Sequence, residues 1–243
     1  MRRLGQKRRF VVGLAAFFFS VSSILLLIGL FLAWSKSPVP DAWNPFRPFQ
    51  LSDKVTPFTG WKLDRTAANL PSCLAALKGY GVEKMADWEF NEDCHIRDRV
   101  KIRSIGGITL APVETRCTIA LRMAGWEKHS IQPNARTILG AGVKKIDHFS
   151  SYSCREIRTP EGSFGLMSKH ATADAIDIAG FHLEDGRHVT LLKGWQGTPE
   201  EQAFLNAVRD GACQWFKTTL GPEYNEFHAD HFHLQSRGWG TCK

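Results

Sequence analysis

The chain has 243 residues, of which 43% are hydrophobic and 23% are charged. This composition is typical of a folded globular protein and excludes a disordered chain. The net charge is +7, but five of the 31 basic residues lie in the first nine positions, which leaves 26 basic against 24 acidic side chains in the rest. Because nucleic-acid binding needs a concentrated basic face, we expect no nucleic-acid partner.

Residues 10–34 form a run of 25 positions without a charge. A helix of that length spans about 37 Å, which is enough to cross a bilayer. A cleaved signal peptide would have a shorter apolar region, of about 7–15 residues, ending at a small-x-small site. The run here ends at Leu32-Ala33-Trp34 instead. We therefore predict an uncleaved transmembrane anchor over residues 10–34.

The basic residues precede this anchor, so residues 1–9 are predicted to form a cytoplasmic tail and the rest of the chain to be exported. In a bacterium, this topology is that of a single-pass inner-membrane protein with a periplasmic C-terminal domain. Residues 35–60 hold five of the eleven prolines, which predicts a Pro-rich linker, and the domain follows over residues 61–243.

Six cysteines follow the predicted anchor, and none belongs to a CxxC pair; they are Cys73, Cys94, Cys117, Cys154, Cys213 and Cys242. An even number outside the cytosol predicts three disulfides rather than a zinc knuckle. The sequence does not choose among the possible pairings. Proximity along the chain favours Cys73–Cys94, and a Cys213–Cys242 bond would tie the C-terminus to a helix.

The hydrophobic periodicity of the domain predicts an α+β fold, with a small antiparallel sheet flanked by helices. A helix is predicted over residues 114–126, and strands are predicted over 143–149 and 173–181. The latter strand pairs with residues 187–192 through an Asp-Gly turn at 184–186. Thr198-Pro199-Glu200-Glu201 predicts the start of a helix, Leu220-Gly221-Pro222 its end, and residues 231–235 a last strand.

Histidines and one aspartate indicate a metal site. His228, His231 and His233 lie within six residues, and in a strand the last two project from one face, about 6.6 Å apart. Asp177 lies on the non-core face of the apolar strand 173–181, where an unpaired charge is costly, and His170 precedes that strand. Two histidines and one aspartate are a usual catalytic zinc set with a fourth position open to water, so Zn²⁺ is the predicted cofactor.

The segment Ser168-x-His170-x-x-Ala173-x-Ala175-x-Asp177 resembles the SxHxxGxAxD motif of the LAS metallopeptidases, with Ala173 in place of the glycine. This group includes D-alanyl-D-alanine peptidases and the hedgehog fold. His228-x-x-His231-x-His233 resembles the HxxHxH of penicillin-insensitive murein endopeptidases. Over residues 71–242 the chain is most similar to the bacterial extensin-like C-terminal domain family, through segments such as Ser151-Tyr152-Ser153-Cys154-Arg155. The implied fold is hedgehog-like or DD-peptidase-like.

The resemblance implies that His170, Asp177 and His233 are the zinc ligands. Two groups are candidates for the base. His231 matches the non-ligand histidine of the HxH pair, and Asp230 lies at the spacing that the dipeptidase branch uses for its acidic base.

Three further residues have implied roles around this centre. His228 orients the substrate or the base. Arg155 stabilises the polarised carbonyl or forms a plain ion pair. Ser168 is not a ligand itself but holds the ligand His170 in position.

The implied activity is that of a membrane-anchored zinc metallopeptidase, which hydrolyses amide bonds of peptidoglycan stem peptides or cross-links by attack of zinc-bound water. The sequence does not distinguish among endopeptidase, carboxypeptidase and amidase activities. The alternative is a non-catalytic module that binds the cell wall or acts as a scaffold and retains the fold and a zinc site. An iron oxygenase with two histidines and one carboxylate ranks low, because six residues separate His170 from Asp177 where one is usual.

Overall fold

The structure is a computed structural model that describes residues 2–35, 39–157, 162 and 165–243, and only the backbone of residues 2–16, 34 and 35. It divides into two compact units, Met1–Pro48 and Phe49–Lys243. Residues 36–38 of the predicted linker lie outside the described residues. Phe49 and Leu51, also within that predicted linker, are buried in the core of the second unit. The compact domain thus begins earlier than the predicted residue 61.

The first unit consists of one long helix and a short turn. Helix α1 (Arg2–Ser35) is followed by a 3-10 turn at Asp41–Trp43. Apolar side chains between residues 17 and 32 of α1 are exposed to solvent. Among the described residues, no helix combines the length and the apolar character needed to cross a membrane. The anchor over residues 10–34 stays a prediction.

The second unit is built on strands β1 (Val82–Lys84), β2 (Trp88–Glu89), β3 (His95–Ile96), β4 (Arg99–Ile105), β5 (Ile108–Arg116), β6 (Val143–His148), β7 (Ala175–Leu183), β8 (His188–Thr190), β9 (Thr218–Leu220), β10 (Phe232–Gln235) and β11 (Thr241–Cys242). Nine of these described strands form one sheet in the order β1-β4-β5-β6-β7-β10-β9-β11, with β8 also beside β7. The β5–β6 and β9–β11 pairs are parallel and the others are antiparallel. The α+β class is confirmed, but the sheet is larger than predicted and mixed, because a helical crossover between β5 and β6 returns the chain in the same direction.

The helices of this unit are α2 (Thr59–Ala67), α3 (Leu70–Ala76), α4 (Cys117–Trp126), α5 (Gln132–Asn134), α6 (Leu191–Gly194) and α7 (Pro199–Trp215). Helix α4 continues through a π-helical segment, Glu127–Ile131, into α5 and a second such segment, Ala135–Leu139. The core lies between the sheet and helices α4 and α7. Phe181 of β7 packs edge to face against Trp126 and Phe204, with ring centroids 6.1 and 5.3 Å apart.

Two predicted helix boundaries were wrong. Residues 114–116 end strand β5, because Thr115 pairs with Val100 and is fully buried, so α4 starts only at Cys117. Helix α7 ends at Trp215 rather than near residue 220, because Phe216 is extended and Thr218–Leu220 joins the sheet beside β10. The capping box at Thr198 and the hairpin turn between β7 and β8 are confirmed.

The predicted number of disulfides is confirmed, and the bonds are Cys73–Cys117, Cys94–Cys154 and Cys213–Cys242. The last of these matches the predicted pairing. The predicted Cys73–Cys94 bond is wrong, because α3 packs against the start of α4 and places Cys73 beside Cys117. The Cys94–Cys154 bond instead ties the segment that precedes Arg155 to the turn before β3.

Candidate metal centre

Two paired strands place a carboxylate and an imidazole side by side. Strand β10 runs antiparallel to β7, and the register sets His233 directly opposite Asp177. Ile176 and Ile178 on either side of Asp177 are fully buried in the core, so the carboxylate faces away from the core. His233 Nδ1 lies 2.8 Å from Asp177 Oδ1.

A tight turn before β7 supplies the third group. Lys169–Thr172 forms one 3-10 turn, which Ser168 caps by accepting a hydrogen bond from the His170 backbone N–H, and Ala173 ends it in the left-handed conformation at φ 49°. His170 Nε2 then lies 3.1 Å from Asp177 Oδ2 and 3.1 Å from His233 Nδ1. Glycine would adopt this left-handed conformation more readily than alanine does.

The tautomer of His170 follows from its second contact. Its Nδ1 lies 3.0 Å from the Ser151 carbonyl oxygen, which only accepts, so Nδ1 carries the proton and Nε2 presents a lone pair to the centre. Ser151 is fully buried and donates from its own hydroxyl to the Ala175 carbonyl. This support holds the imidazole of His170 in one orientation.

His170 Nε2, Asp177 Oδ1 and His233 Nδ1 therefore lie within 3.2 Å of one another, and each atom is able to present a lone pair to a metal ion. Burial alone would raise the pKa of Asp177, but the adjacent imidazoles of His170 and His233 hold that pKa well below its ordinary value. Burial lowers the pKa of His233. The carboxylate is thus ionised and the His233 imidazole neutral, which are the protonation states that metal binding requires.

The spacing of these atoms fits a small dication. The separations among His170 Nε2, Asp177 Oδ1 and His233 Nδ1 are 2.8–3.2 Å. Ligand atoms around a tetrahedral zinc ion, with bonds of about 2.0 Å, lie about 3.3 Å apart. The two-nitrogen, one-carboxylate set needs only a slight opening to hold Zn²⁺.

A side chain outside the sequence predictions contacts the far side of His233. The Gln235 amide nitrogen lies 2.7 Å from His233 Nε2. When Nδ1 of His233 serves as a ligand, Nε2 carries the proton, and the Gln235 amide must then present its oxygen. Gln235 can match either tautomer by turning its amide group over.

A second grouping shares His233 with the first. His228, His231 and His233 also place one ring nitrogen each within 4.8 Å of the others. This set lacks a carboxylate to offset the charge of a dication, and His228 and His231 are less buried than His170. The set of His170, Asp177 and His233 is therefore the more enclosed of the two and the one that supplies its own negative charge.

The two candidate bases prove to be hydrogen-bonded partners. The chain is still turning at Asp230, just before β10, and Asp230 Oδ1 lies 2.8 Å from His231 Nδ1. The other ring nitrogen of His231, Nε2, lies 3.6 Å from Asp177 Oδ1 and so faces the centre. The Asp230 carboxylate orients the His231 ring and accepts from Nδ1–H, which leaves the Nε2 lone pair facing the centre.

His228 lies beside His231, on the same side of the candidate centre. Its Nδ1 donates to Asn225 Oδ1 at 2.6 Å, and its ring lies 5.3 Å from that of His231. Burial, reinforced by the neighbouring His233 and His231, lowers the pKa of His228 to about 4. His228 is therefore neutral near pH 7, with Nε2 free to accept a hydrogen bond.

A cavity of about 660 Å³ opens beside the centre and is lined by Asp177, His228, His231 and His233. Arg155 also lines it, and its Nη1 donates to the Glu156 carbonyl at 3.2 Å. Within the described residues, Arg155 has no carboxylate at ion-pair distance. Its charge can therefore act on a molecule that occupies the cavity.

The structure identifies Asp174 as a supporting residue that the sequence predictions missed. It is 1% exposed, and both of its oxygens lie 3.0 Å from Arg116 Nη1. It also accepts from Ser236 Oγ at 2.9 Å and from Arg237 Nε at 3.1 Å. Asp174 thus ties the turn that carries His170 to β5 and to the end of β10. In the sequence, the position of Asp174 between Ala173 and Ala175, two apolar residues of the motif, is the feature that could have identified it.

These features describe an α+β domain with a two-histidine, one-aspartate centre at the edge of a cavity of about 660 Å³. Residues 71–243 match the family model described as "Extensin-like protein C-terminus". This match covers more than half of the chain, so the protein belongs to the extensin-like C-terminal family, as the sequence resemblance predicted. No curated protein and no solved structure matches the chain. The similarity to LAS metallopeptidases stays a prediction.

Proposed function

We propose that this protein is a zinc-dependent peptidase that hydrolyses amide bonds in peptidoglycan stem peptides or cross-links. The observation that carries the proposal is the convergence of lone pairs from His170, Asp177 and His233 beside a base that is already oriented, His231. A bound zinc ion would activate water and polarise the amide carbonyl. A module that only binds the wall needs no oriented base.

The residues of the chain have separable tasks in this proposal. His231 Nε2 takes the proton of the attacking water and returns it to the leaving amine, while Asp230 stabilises the imidazolium that forms. Arg155 offers positive charge to the developing oxyanion, and neutral His228 holds the substrate by a hydrogen bond at Nε2. The cavity of about 660 Å³ is large enough for a short peptide.

We also propose that residues 10–34 anchor the protein in the inner membrane, with the domain in the periplasm. The support is the uncharged run itself, the basic residues before it and the three disulfides of the domain, which fit an oxidising compartment. The test is alkaline extraction of membranes that contain the full chain. Release of the protein into the soluble fraction contradicts the anchor.

The activity is tested with the full-length protein in detergent micelles, supplied with zinc and incubated with isolated peptidoglycan sacculi. Mass spectrometry of the released fragments should show new amine and carboxyl termini, which identify the bond that is cut. His170→Ala and His231→Ala should abolish them, and His95→Ala, which removes an imidazole far along the chain from the motif, should not. Intact muropeptides, together with zinc-loaded protein that sediments with the sacculi, would favour the non-catalytic wall-binding module.

A further inference from the structure

A second cluster of metal-ligating side chains lies on the sheet away from the candidate centre. It consists of Asp147 on β6, His182 on β7 and His188 on β8. The strand pairing sets His182 opposite His188 across the hairpin, and Asp147 opposite Gly180 on the other side of β7. Three adjacent strands therefore deliver one side chain each to the same patch of the sheet.

The side chains converge on a single carboxylate oxygen. His182 Nε2 lies 2.7 Å and His188 Nε2 2.9 Å from Asp147 Oδ2. The two imidazole rings are stacked, with centroids 3.8 Å apart and planes within 8° of parallel. This stacking points Nε2 of both histidines at one oxygen. To hydrogen-bond to that oxygen, each Nε2 must carry a proton. A single metal ion in place of these two protons would be bound by both Nε2 atoms and by the carboxylate oxygen.

The backbone leaves room for this arrangement. Gly180 lies next to the cluster, and a Cβ atom there would come within 3.1 Å of His188 Nε2. The other oxygen of Asp147, Oδ1, is occupied by Lys145 Nζ at 3.0 Å, which leaves Oδ2 for the histidines. The side chains of Asp147, His182 and His188 are 31%, 27% and 40% exposed, so an ion can enter and keep water ligands.

We propose that Asp147, His182 and His188 form a second binding site, for a divalent transition-metal ion. Two imidazole nitrogens and one carboxylate oxygen are ligands that suit Zn²⁺, Cu²⁺ or Ni²⁺. Ca²⁺ and Mg²⁺ prefer sites made of oxygen atoms alone and should not compete. The site does not depend on the proposed peptidase activity.

The test is the zinc stoichiometry of the full-length, metal-stripped protein in detergent, measured by calorimetric titration and by elemental analysis after dialysis. Two zinc ions per chain are expected for the unaltered protein. His188→Ala should bind one, His170→Ala should bind one, and the double variant should bind none. His95→Ala should still bind two, and circular dichroism should show that every variant is folded.

The outcomes separate the two sites. A single ion that is lost with His170→Ala and kept with His188→Ala overturns the second site and leaves the candidate centre intact. A single ion with the opposite dependence supports the second site and removes the zinc from the proposed peptidase. Lys145→Ala provides an independent readout, because freeing Asp147 Oδ1 from the ammonium group should tighten binding at the second site. Unchanged affinity in that variant contradicts the role of Asp147 as a ligand.

Discussion

Asp177 and His233 face each other across the β7–β10 pair, with the carboxylate Oδ1 2.8 Å from the imidazole Nδ1. This contact joins residues that are far apart in the chain through one register of two strands. A shift of the register by one residue would turn His233 to the other face of the sheet. The pairing of β10 with β7 is therefore the element on which the candidate centre depends.

The first prediction concerns Gln235, which contacts His233 Nε2 at 2.7 Å. Gln235→Ala should weaken zinc binding at the candidate centre by about 10–100-fold, the usual effect of losing a partner behind a histidine ligand. Gln235→Glu should retain the affinity, because a carboxylate accepts from Nε2–H and keeps the Nδ1 lone pair on the ion. Titration with a zinc-competing chelator measures both variants. Equal affinities for Gln235→Ala and the unaltered protein would contradict the role.

The second prediction separates Asp230 from the metal ligands. Asp230→Asn should leave the zinc affinity of the candidate centre unchanged, because the Asp230 carboxylate contacts the His231 ring and no ligand. Peptidase activity should fall by about 10²–10⁴-fold, as for loss of general acid–base catalysis. The fragment assay on sacculi measures the rate, and the chelator titration measures the affinity. A parallel loss of zinc would show that Asp230 supports the ligands instead.

The third prediction concerns the left-handed residue of the motif, Ala173, at φ 49°. A left-handed backbone costs an L-residue about 1–2 kcal/mol. Ala173→Gly removes that cost, so its free energy of unfolding should stay within about 1 kcal/mol of the unaltered protein despite the lost methyl group. Ala175→Gly is the matched control, since Ala175 is equally buried but lies in a strand.

The control variant should be less stable than Ala173→Gly by about 1–2 kcal/mol, the size of the left-handed penalty. Urea unfolding with the disulfides intact measures both. Equal losses in the two variants would show that no strain is relieved at Ala173.

The fourth prediction concerns the buried carboxylate of Asp174, which pairs with Arg116 and Arg237. Asp174→Ala should lower the free energy of unfolding by about 3–5 kcal/mol, because it leaves the largely buried guanidinium of Arg116 without its buried partner. Glu223→Ala removes a carboxylate from an exposed pair with Arg209 and should change the unfolding midpoint far less. Similar midpoints for the two variants would contradict the bracing role of Asp174.

The fifth prediction is a pH dependence that originates at His129. Burial lowers the pKa of this residue, whose Nε2 donates to the Leu51 carbonyl at 3.0 Å while its ring stacks on Trp215. In the unfolded chain the ring takes up its proton near pH 6.5. As the pH falls through that value, the unfolded state binds more protons than the folded state, and stability decreases.

His129→Gln keeps an N–H donor for Leu51 but cannot titrate. The unfolding midpoint of this variant should therefore depend less on pH between about 7.5 and 5.5 than that of the unaltered protein. Thermal unfolding at a series of pH values measures the two slopes. Identical slopes would assign the pH dependence to other histidines.

Short sequence patterns correctly predicted a helix start and a hairpin turn of the fold. The Thr198 capping box and the hairpin turn at 184–186 depend on residues a few positions apart, and both are present. The apolar strand around Asp177 was also predicted from alternation, although its start had to move to Ala175 because Ala173 is left-handed. The resemblance to known motifs named His170, Asp177 and His233, and the structure places these side chains together.

The sequence by itself determined the class of the fold, the family, the number of disulfides and the three residues of the candidate centre, because each depends on composition, short spacing or a short motif. Only the tertiary structure decided the pairing of the other four cysteines, the contact of Asp230 with His231, and the ion pairs by which Asp174 supports the candidate centre. It also brought Asp147 to His182 and His188. Most of these contacts join separate segments, and the register of β6, β7, β8 and β10 sets those of the two metal-ligating groups. Register follows from the packing of the whole sheet against its helices, which no short stretch of sequence encodes.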